Sequence, residues 1–361
     1  MRHGDGIYII AEAGVNHNGS LDMALKLVEA AAKAGADAVK FQTFKADRLV
    51  RRGTPKAAYQ METSGAYEGQ YEMLRRLELS EEDHLVLIER CRELKMDFLS
   101  SPFDDDSLDF LVGSLGLRTI KMGSGEVTNA PLLLKAASMG VDVILSTGMS
   151  TLGEVEEALA CLAFGYLKVK DKPSKEALFK AYSSEEGQEV LRDRVTLLHC
   201  TTEYPAPLEG VNLRSMVTMR EAFGLSVGYS DHTEGIGISL AAVALGAAVL
   251  EKHFTLDRSL PGPDHRASLE PLELAELVKS VRAVQLALGS QIKVPSSFEW
   301  ENRRLVRRSV VARRTIQRGE VFAEDNLTCK RPGTGLPPSD VWRLLGKPSS
   351  RDYIDDEMVE D

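Results

Sequence analysis

Two lysines lie inside segments whose other residues are mostly apolar, and this is where chemistry first suggests itself. Lys40 lies within DAVKFQTF and Lys121 within RTIKMGSG, so both ammonium groups need anionic partners. Hydroxyl groups beside glycine-containing turns suit phosphate oxygens, and the candidates are Ser124, Ser146 and Ser230. The pattern therefore favours an anionic, phosphate-bearing ligand. It leaves open that each lysine instead pairs with a carboxylate, from Glu12, Glu126 or Glu251.

Two histidines close neighbouring strand-like runs late in the chain. His232 ends VGYSDH and His253 ends VLEKH. Adjacent imidazoles with carboxylates nearby can bind a divalent ion and leave coordination positions open for a substrate oxygen. Spacing alone equally permits two hydrogen-bonded core histidines. For the other histidines we expect His17 to stabilise an Asn-rich turn, His84 to be solvated on a helix, and His199 to be a core residue or to lie just behind the site.

Eight short β-rich runs must position these groups, and each run ends in polar residues. The runs are residues 8–14, 37–44, 97–103, 118–125, 142–149, 195–204, 226–232 and 248–255. Between them lie segments with apolar residues at spacings of three and four, which predict amphipathic helices. Capping-box patterns at Ser80 with Asp83 and at Thr151 with Glu154 predict two helix starts, while Gly35 and Gly140 predict helix ends.

Eight β/α repeats over about 250 residues predict a (β/α)8 TIM barrel. Side chains at the C-terminal ends of barrel strands point into one shared cleft, so polar residues at all eight ends predict an active site there. A doubly wound open sheet is the alternative, but no GxGxxG follows the first strand.

The domain prediction is a catalytic barrel over residues 1–288, a polar linker over 289–302 and a small β-rich domain over 303–361. A charged segment between Phe164 and Arg194 predicts an elaborated surface helix. Residues Arg303 to Arg314 include six arginines. They suggest a solvated or ion-paired surface, or one arginine that reaches an acidic substrate in its own or another subunit.

Composition bounds the function class. The 361 residues are 43% hydrophobic and 27% charged, with no apolar run long enough to span a membrane. A net charge of −10 disfavours nucleic acid as a partner. Four scattered cysteines without CxxC spacing, and an N-terminus without signal-peptide architecture, favour a reducing cytoplasm.

The motifs together resemble the sialic acid synthase family. They are IIAEAGVNHNG, AVKFQTFKAD, IKMGSGE, STGM, HCTTEYPAP, VGYSDHT, LEKHFTLD and GPDHRASLEP. The C-terminal RRSVVARRTIQRGEVFAEDNLTCKRPGTGLPP resembles the family's SAF domain, the type III antifreeze-like module. The resemblance implies a (β/α)8 barrel with a SAF domain and a homodimer in which the small domain caps the partner's site. It also implies condensation of phosphoenolpyruvate with an N-acylated hexosamine to a nine-carbon 2-keto acid.

Roles carried over from the resemblance form three groups. Phosphoenolpyruvate would be bound by Lys40, Ser101, Lys121, Ser124, Ser146, Thr201 and Ser230. The sugar would be bound by Gln42, Phe103, Glu126, Tyr204, Asp264 and, from the other subunit, Arg307. His232 and His253 would bind Mn²⁺ or Mg²⁺, which polarises the open-chain aldehyde, and Glu12 would act as an acid/base. Glu251 and Lys252 would orient His253. His265 would hold the loop that carries Asp264.

The motifs leave two candidate sugar substrates. N-acetylmannosamine-using relatives often read HCNTEYP, whereas this chain reads HCTTEYP with Thr201, as relatives that make legionaminate often do. The resemblance implies N-acetylneuraminate synthase acting on N-acetylmannosamine, with N,N'-diacetyllegionaminate synthase acting on a 2,4-diacetamido-6-deoxy hexose as the alternative. A non-catalytic carbohydrate-binding protein is the alternative of another class.

Overall fold

Eight parallel strands alternate with helices in the computed structural model, which describes residues 6–56 and 69–360. The strands are β1 (Tyr8–Gly14), β2 (Ala38–Thr43), β3 (Asp97–Pro102), β4 (Thr119–Met122), β5 (Asp142–Ser146), β6 (Val195–His199), β7 (Ser226–Asp231) and β8 (Val249–His253). Their order is β3-β2-β1-β8-β7-β6-β5-β4, and the end strands β3 and β4 lie in contact. The predicted (β/α)8 fold is confirmed.

The helices of this unit lie between and after the strands. They are α1 (Leu21–Ala34), α2 (Ala46–Leu49), α3 (Gln70–Arg76), α4 (Glu81–Glu93), α5 (Asp105–Asp109), α6 (Ala130–Ser138), α7 (Leu152–Tyr166), α8 (Lys175–Ser183), α9 (Glu185–Arg194), α10 (Arg214–Phe223), α11 (Gly237–Ala244) and α12 (Pro271–Leu288). Both predicted capping boxes begin helices, at Ser80 and Thr151. Gly35 ends α1 with a φ of 83°, a left-handed conformation that favours glycine.

Side chains alternate between the inside and the outside of the barrel, as the strand period of two requires. One buried apolar cluster, which we take as the barrel interior, is formed by Tyr8, Ile10, Ala38, Leu99, Ile144, Leu198 and Val249. Two residues further along several strands, the same face carries polar groups such as Glu12, Lys40 and Glu251. The apolar layer thus forms the floor on which the polar layer rests.

The charged segment after α7 forms two helices rather than the predicted single surface helix. Ser184 has extended backbone angles between α8 and α9, and its side chain accepts the N–H of Gly187. This cap starts a new helix, so SSEE within the segment was a start signal that the prediction overlooked. Both helices pack against α7.

The prediction that His84 is solvated is wrong. His84 is buried on α4, where its Nδ1 lies 2.7 Å from the Ser80 carbonyl oxygen and its Nε2 lies 2.8 Å from Thr43 Oγ1. Thr43 Oγ1 also lies 2.6 Å from Ser100 Oγ. The helix turns this face towards the sheet, and the outward hydroxyls of β2 and β3 satisfy the ring.

A second compact unit spans Ser290–Asp361, and the first spans Met1–Gly289. The second contains Ser297–Glu299 as a 3-10 turn, α13 (Trp300–Val306), antiparallel β9 (Ser309–Ala312) and β10 (Leu327–Lys330), a 3-10 turn at Pro338–Asp340 and α14 (Val341–Leu344). Its own core comprises Val310, Ala312, Ile316, Phe322, Leu327, Leu344, Tyr353 and Val359. Helix α13 begins inside the stretch predicted as linker, and the domain boundaries remain a prediction.

Residues 1–5, on which the expectation about the N-terminus partly rests, lie outside the described residues. Across the described part of the chain, none of the helices combines the length and apolar character that a membrane span requires.

Candidate active site

Twelve of the predicted site residues line one cavity of about 180 Å³ at the C-terminal ends of the strands. They are Glu12, Lys40, Gln42, Ser101, Phe103, Lys121, Ser124, Ser146, Tyr204, Ser230, His232 and His253. Glu251, Gly123, Gly125, Cys200 and Thr202 complete the wall. Because strands from all round the barrel contribute, groups as distant in sequence as Glu12 and His253 meet around one small space.

The two lysines and two glutamates form a buried charge network. Lys40 Nζ lies 2.7 Å from Glu12 Oε2 and 3.7 Å from Glu251 Oε2, and Lys121 Nζ lies 3.2 Å from Glu251 Oε1. Lys40 also donates to Ser101 Oγ at 3.2 Å. The alternative in which the lysines pair with Glu12 and Glu251 is therefore seen in this structure. Glu251 bridges both cations, so the network still carries two ammonium groups on one face of the cavity.

The two carboxyls differ in their affinity for a proton. Burial raises the pKa of Glu12 to about 7, although Lys40 acts to lower it. Burial also acts to raise the pKa of Glu251, but Lys121 and Lys40 hold it well below its usual range. Glu251 is therefore a fixed negative charge, whereas Glu12 can give up or take a proton near neutral pH.

His232 and His253 lie side by side with ring centroids 5.5 Å apart. His232 Nδ1 lies 2.6 Å from the Thr201 carbonyl oxygen, which can only accept, so Nδ1 holds the proton and Nε2 keeps its lone pair. His253 Nδ1 is buried without a hydrogen-bond partner. Burial lowers the pKa of His232 to about 4 and that of His253 well below its ordinary value, so both rings are neutral.

This donor set fits a divalent ion. Neutral imidazoles are the form that binds metal, and a backbone carbonyl on the far nitrogen is a usual support for a metal-binding histidine. Among the residues that the structure describes, no group of three or more His, Cys, Asp or Glu side chains is arranged as a ligand set. Two protein ligands would leave the remaining positions to water and substrate oxygens.

Thr201, whose side chain is predicted to bind phosphoenolpyruvate, does not line the central cavity. Its hydroxyl donates to the Gly210 carbonyl oxygen at 3.1 Å and faces a separate hollow. Cys200 and Thr202, which follow β6, line the central cavity instead and also border that hollow, and sequence reasoning missed both. The two-residue period counted from the apolar floor would have found them.

The prediction that Lys252 helps Glu251 to orient His253 is wrong. Lys252 points to the outer face, where Nζ lies 3.0 Å from Asp231 Oδ2 and donates to the Thr233 carbonyl oxygen. Only Glu251 shares the inner face with His253, because adjacent residues of a strand point in opposite directions.

The predicted sugar-binding residues divide into two groups. Gln42, Phe103 and Tyr204 line the cavity, and Gln42 Nε2 donates to Glu12 Oε1 at 3.3 Å. Three others do not line it: Asp264, Glu126 and Arg307. Burial raises the pKa of Asp264 to about 6, with the Lys40 charge acting in the opposite direction. Glu126 accepts from Asn129 Nδ2 at 2.6 Å.

The loop that carries Asp264 is fastened by His265, the role expected for that residue. His265 is fully buried, with Nδ1 2.6 Å from Thr255 Oγ1 and Nε2 3.3 Å from Asn18 Oδ1. In the turn between β1 and α1, His17 Nδ1 accepts the N–H of Gly19, so this histidine stabilises the turn as predicted. Arg307 lies in the second unit, in a hollow that it shares with Trp300 and Gly333.

Two family models match this chain, one over most of the barrel and one over the small C-terminal unit. The NeuB family matches residues 27–293 and the SAF domain matches residues 307–360. A protein of Campylobacter jejuni named N,N'-diacetyllegionaminic acid synthase is 48% identical over 97% of this chain and 98% of its own length. A protein of the same name from Legionella pneumophila is 48% identical over 94% of this chain and 89% of its own.

A solved structure gives a third comparison. N-acetylneuraminic acid (sialic acid) synthetase of Leptospira borgpetersenii, crystallised in complex with citrate, is 33% identical with a TM-score of 0.66. The match covers 83% of this chain and 91% of that one. From the matched family and domain, and from relatives similar over nearly their whole length, the chain belongs to the NeuB family of sialic acid synthases and carries a C-terminal SAF domain.

Proposed function

We propose that this enzyme condenses phosphoenolpyruvate with a 2,4-diacetamido-6-deoxy hexose and water to give N,N'-diacetyllegionaminic acid and phosphate. The two relatives at 48% identity bear the name of that synthase, whereas the structure named for N-acetylneuraminic acid is 33% identical. These comparisons favour the expected alternative over N-acetylneuraminate synthase. Thr201 in HCTTEYP agrees with this preference.

The observation that carries the proposal is one cavity that combines anion-binding and metal-binding groups. Lys40 and Lys121 face it together with the hydroxyls of Ser124 and Ser146. A phosphate and a carboxylate on one small molecule require such a set of cations and donors, held at fixed distances. Ser146 Oγ is buried without a hydrogen-bond partner, which a bound oxygen atom would supply.

Binding comes first in the proposed mechanism. The lysines hold the phosphate and the carboxylate of phosphoenolpyruvate and fix its C3 methylene opposite the aldehyde of the sugar. A bond forms from C3 to the aldehyde carbon, water adds at C2, and the C2–O bond breaks to release phosphate. Orientation by the lysines and hydroxyls supplies the proximity term of the rate enhancement.

Glu12 supplies the proton chemistry. With its pKa raised to about 7, its carboxyl can deliver a proton to the aldehyde oxygen as the C–C bond forms. Gln42 holds Glu12 Oε1, and Lys40 holds Oε2. A Mn²⁺ or Mg²⁺ ion held by His232 and His253 would supply Lewis-acid stabilisation of negative charge on that oxygen.

The sugar is proposed to contact Gln42, Phe103 and Tyr204 inside the cavity, with Asp264 and Glu126 binding its polar groups. Arg307 is proposed to reach the N-acyl group from the second subunit of a homodimer with exchanged SAF domains. Mixing two inactive variants tests this arrangement, because R307A and H253A protomers together rebuild one complete site only if Arg307 acts in trans. We expect activity to return on mixing. Two variants that stay inactive after subunit exchange would refute it.

Phosphate release decides the function. We expect release from phosphoenolpyruvate that depends on Mn²⁺ and is at least about tenfold more efficient with the diacetamido sugar than with N-acetylmannosamine, since a missing hydrogen-bonding group is costly to a site built for it. The reverse preference would assign N-acetylneuraminate synthase. Absence of metal-dependent release with every acylated hexosamine would leave the non-catalytic carbohydrate-binding protein.

A further inference from the structure

The loop that follows β8, residues 254–268, carries Asp264, and we call it the β8 loop. Its two ends are joined at the barrel, where the Thr255 N–H donates to the Leu269 carbonyl oxygen and the Leu269 N–H donates to the His253 carbonyl oxygen, both at 2.9 Å. Asp264 is buried, yet among the described residues its carboxyl has no hydrogen-bond or ion-pair partner. The position of that carboxyl therefore depends on what holds the backbone of the loop.

Asn16, in the turn between β1 and α1, is bonded to both ends of the β8 loop. Its Nδ2 donates to the Phe254 carbonyl oxygen at 2.9 Å and to Ser268 Oγ at 3.0 Å. A carbonyl oxygen can only accept, so the amide nitrogen faces Phe254 and both of its hydrogens are used. The side chain at this position has to donate twice, which neither a carboxylate nor an apolar side chain can do.

Ser268 extends this link from Asn16 to Asp264. The Ser268 hydroxyl accepts from Asn16 and donates to the Asp264 carbonyl oxygen at 2.6 Å. The Phe254 N–H donates to the Glu12 carbonyl oxygen at 3.0 Å, so β1 holds the start of the loop as well. Asn16, Ser268 and Asp264 are all buried, which keeps bulk water from competing for these bonds.

A second asparagine of the same turn makes bonds of a different kind. Asn18 Nδ2 donates to the Pro261 carbonyl oxygen at 2.9 Å in an exposed part of the loop, and Asn18 Oδ1 lies 3.3 Å from His265 Nε2. Water can replace a donor in an exposed bond. The two bonds donated by Asn16 are buried, so nothing replaces them when the amide is removed.

We infer that Asn16 is a positioning residue for the sugar: acting through Ser268, it holds Asp264 at the place where Asp264 meets the sugar. This inference rests on the proposed function, which assigns Asp264 to polar groups of the sugar. Neither Asn16 nor Ser268 lines the central cavity with Lys40 and Lys121. The link should therefore act on the use of the sugar and leave the binding of phosphoenolpyruvate unchanged.

The first test measures phosphate release and phosphoenolpyruvate binding for N16L and S268A in the full chain. N16L keeps a branched side chain and removes both donors, whereas S268A removes one hydroxyl and is the milder change to the fold. We expect kcat/KM for the diacetamido sugar to fall by about 10- to 100-fold in each, since a misplacement of about 1 Å can cost about 100-fold. Calorimetric binding of phosphoenolpyruvate, without sugar, should stay within about twofold of the parent protein.

Matched controls accompany these variants. S268T keeps the hydroxyl and should restore most of the activity that S268A loses. N18D makes a single Asn-to-Asp change in the same turn, at the exposed bond, and should keep kcat/KM within about threefold of the parent protein. A loss in N18D as large as that in N16L would contradict a specific role for Asn16.

A double-mutant cycle with D264N separates positioning from a purely structural bond. If Asn16 and Ser268 act through Asp264, then N16L or S268A should lower kcat/KM by less than about threefold when D264N is already present. Equal losses with and without D264N would overturn the inference, because the bonds would then act on something other than Asp264.

Crystal structures of the parent protein and S268A separate the inference from the proposed function. We expect Asp264 to move by about 1 Å or more relative to Lys40 in S268A, with both lysines in place. If Asp264 moves but no sugar supports phosphate release by the parent protein, the link from Asn16 to Asp264 stands and the proposed reaction is wrong. If phosphate is released and Asp264 stays in place, or moves without any loss in the use of the sugar, the reaction stands and the inference is wrong.

Discussion

The inner and outer faces of β7 and β8 both bury charged residues, yet these residues are bonded to different extents. On the outer face, Asp231 accepts from the Thr233 N–H, from Thr233 Oγ1 and from Ser239 Oγ, and it pairs with Lys252. On the inner face, Glu251 Oε1 accepts from Ser230 Oγ and pairs with Lys121, but Glu251 Oε2 and His253 Nδ1 lack hydrogen-bond partners. These residues are equally buried, so burial does not distinguish them.

The difference teaches how to recognise a site among buried polar groups. A buried charge with a complete set of partners is stabilised by the fold and needs nothing further. A buried polar atom without a partner costs free energy that the fold does not recover, so it persists where a ligand completes it. The inner face is therefore read as the functional face and the outer one as structural.

The largest effect should be the loss of stability at acid pH, where buried groups in many parts of the barrel take up protons on unfolding. Burial lowers the pKa of six histidines, among them His17 and His265 at about 4, so they stay neutral in the folded state and gain protons on unfolding. The contribution of these neutral histidines to the free energy of unfolding is fully present above pH 6.5 and is lost as the pH falls towards 4. The raised pKa values of Glu12, Asp264 and Glu126 act in the opposite sense.

Six histidines gain protons on unfolding and three carboxyls lose them, so the free energy of unfolding should fall as the pH is lowered through 6, by about 1.4 kcal/mol per pH unit for each net proton taken up. Urea unfolding at several pH values between 7.5 and 5 measures the slope. H84Q, which removes one of these six histidines, should make the slope shallower. A stability that is constant from pH 7.5 to 5 would contradict the buried, neutral histidines.

The next effect concerns the inner face alone. H253A removes one proposed metal ligand, so phosphate release should fall by about 10³-fold or more, since Lewis-acid stabilisation is worth several kcal/mol. The melting temperature should change little, because His253 Nδ1 makes no hydrogen bond with the protein. Mn²⁺ should raise the melting temperature of the parent protein and leave that of H253A unchanged. Retained activity would disprove the metal role.

The corresponding change on the outer face should act on stability. K252M leaves Asp231 buried without its cation, and the expected cost is about 3 kcal/mol in the free energy of unfolding. The double variant K252M/D231N should recover part of that loss, because it removes both charges and keeps a side-chain oxygen that accepts from Thr233. Activity per folded molecule should be close to that of the parent. A K252M protein of unchanged stability would break the distinction between the two faces.

The sequence predicts much of the fold because strand and helix signals are local. Eight apolar runs, the capping boxes at Ser80 and Thr151, and Gly35 at a helix end are each decided within a few residues. The cavity also follows from the strand ends. A polar run read without its alternation put Lys252 on the wrong face of β8, and in the structure the Thr201 hydroxyl is bonded to Gly210 outside the central cavity.

Other properties depend on atoms that come together only in the folded chain. Neither the partners that surround His84 nor the close approach of Thr202 to Gly148 can be read from neighbouring letters. The same holds for the opposite pKa shifts of Glu12 and Glu251, two glutamates that differ in their distances to Lys40 and Lys121. Motif matching can suggest a role, but only the folded chain shows which of two adjacent side chains lines the cavity.

The smallest effects offer the sharpest comparison of the two faces, because each substitution removes one hydroxyl group. Thr43 Oγ1 on the outer face has two partners, so T43V should lower the free energy of unfolding by about 1–3 kcal/mol and leave phosphoenolpyruvate binding unchanged. Ser146 Oγ on the inner face has none, so S146A should leave stability unchanged and weaken phosphoenolpyruvate binding. Urea unfolding and calorimetric titration of both variants measure the two properties. If S146A lost stability and T43V lost binding, partner satisfaction would not separate structural from functional polar groups in this barrel.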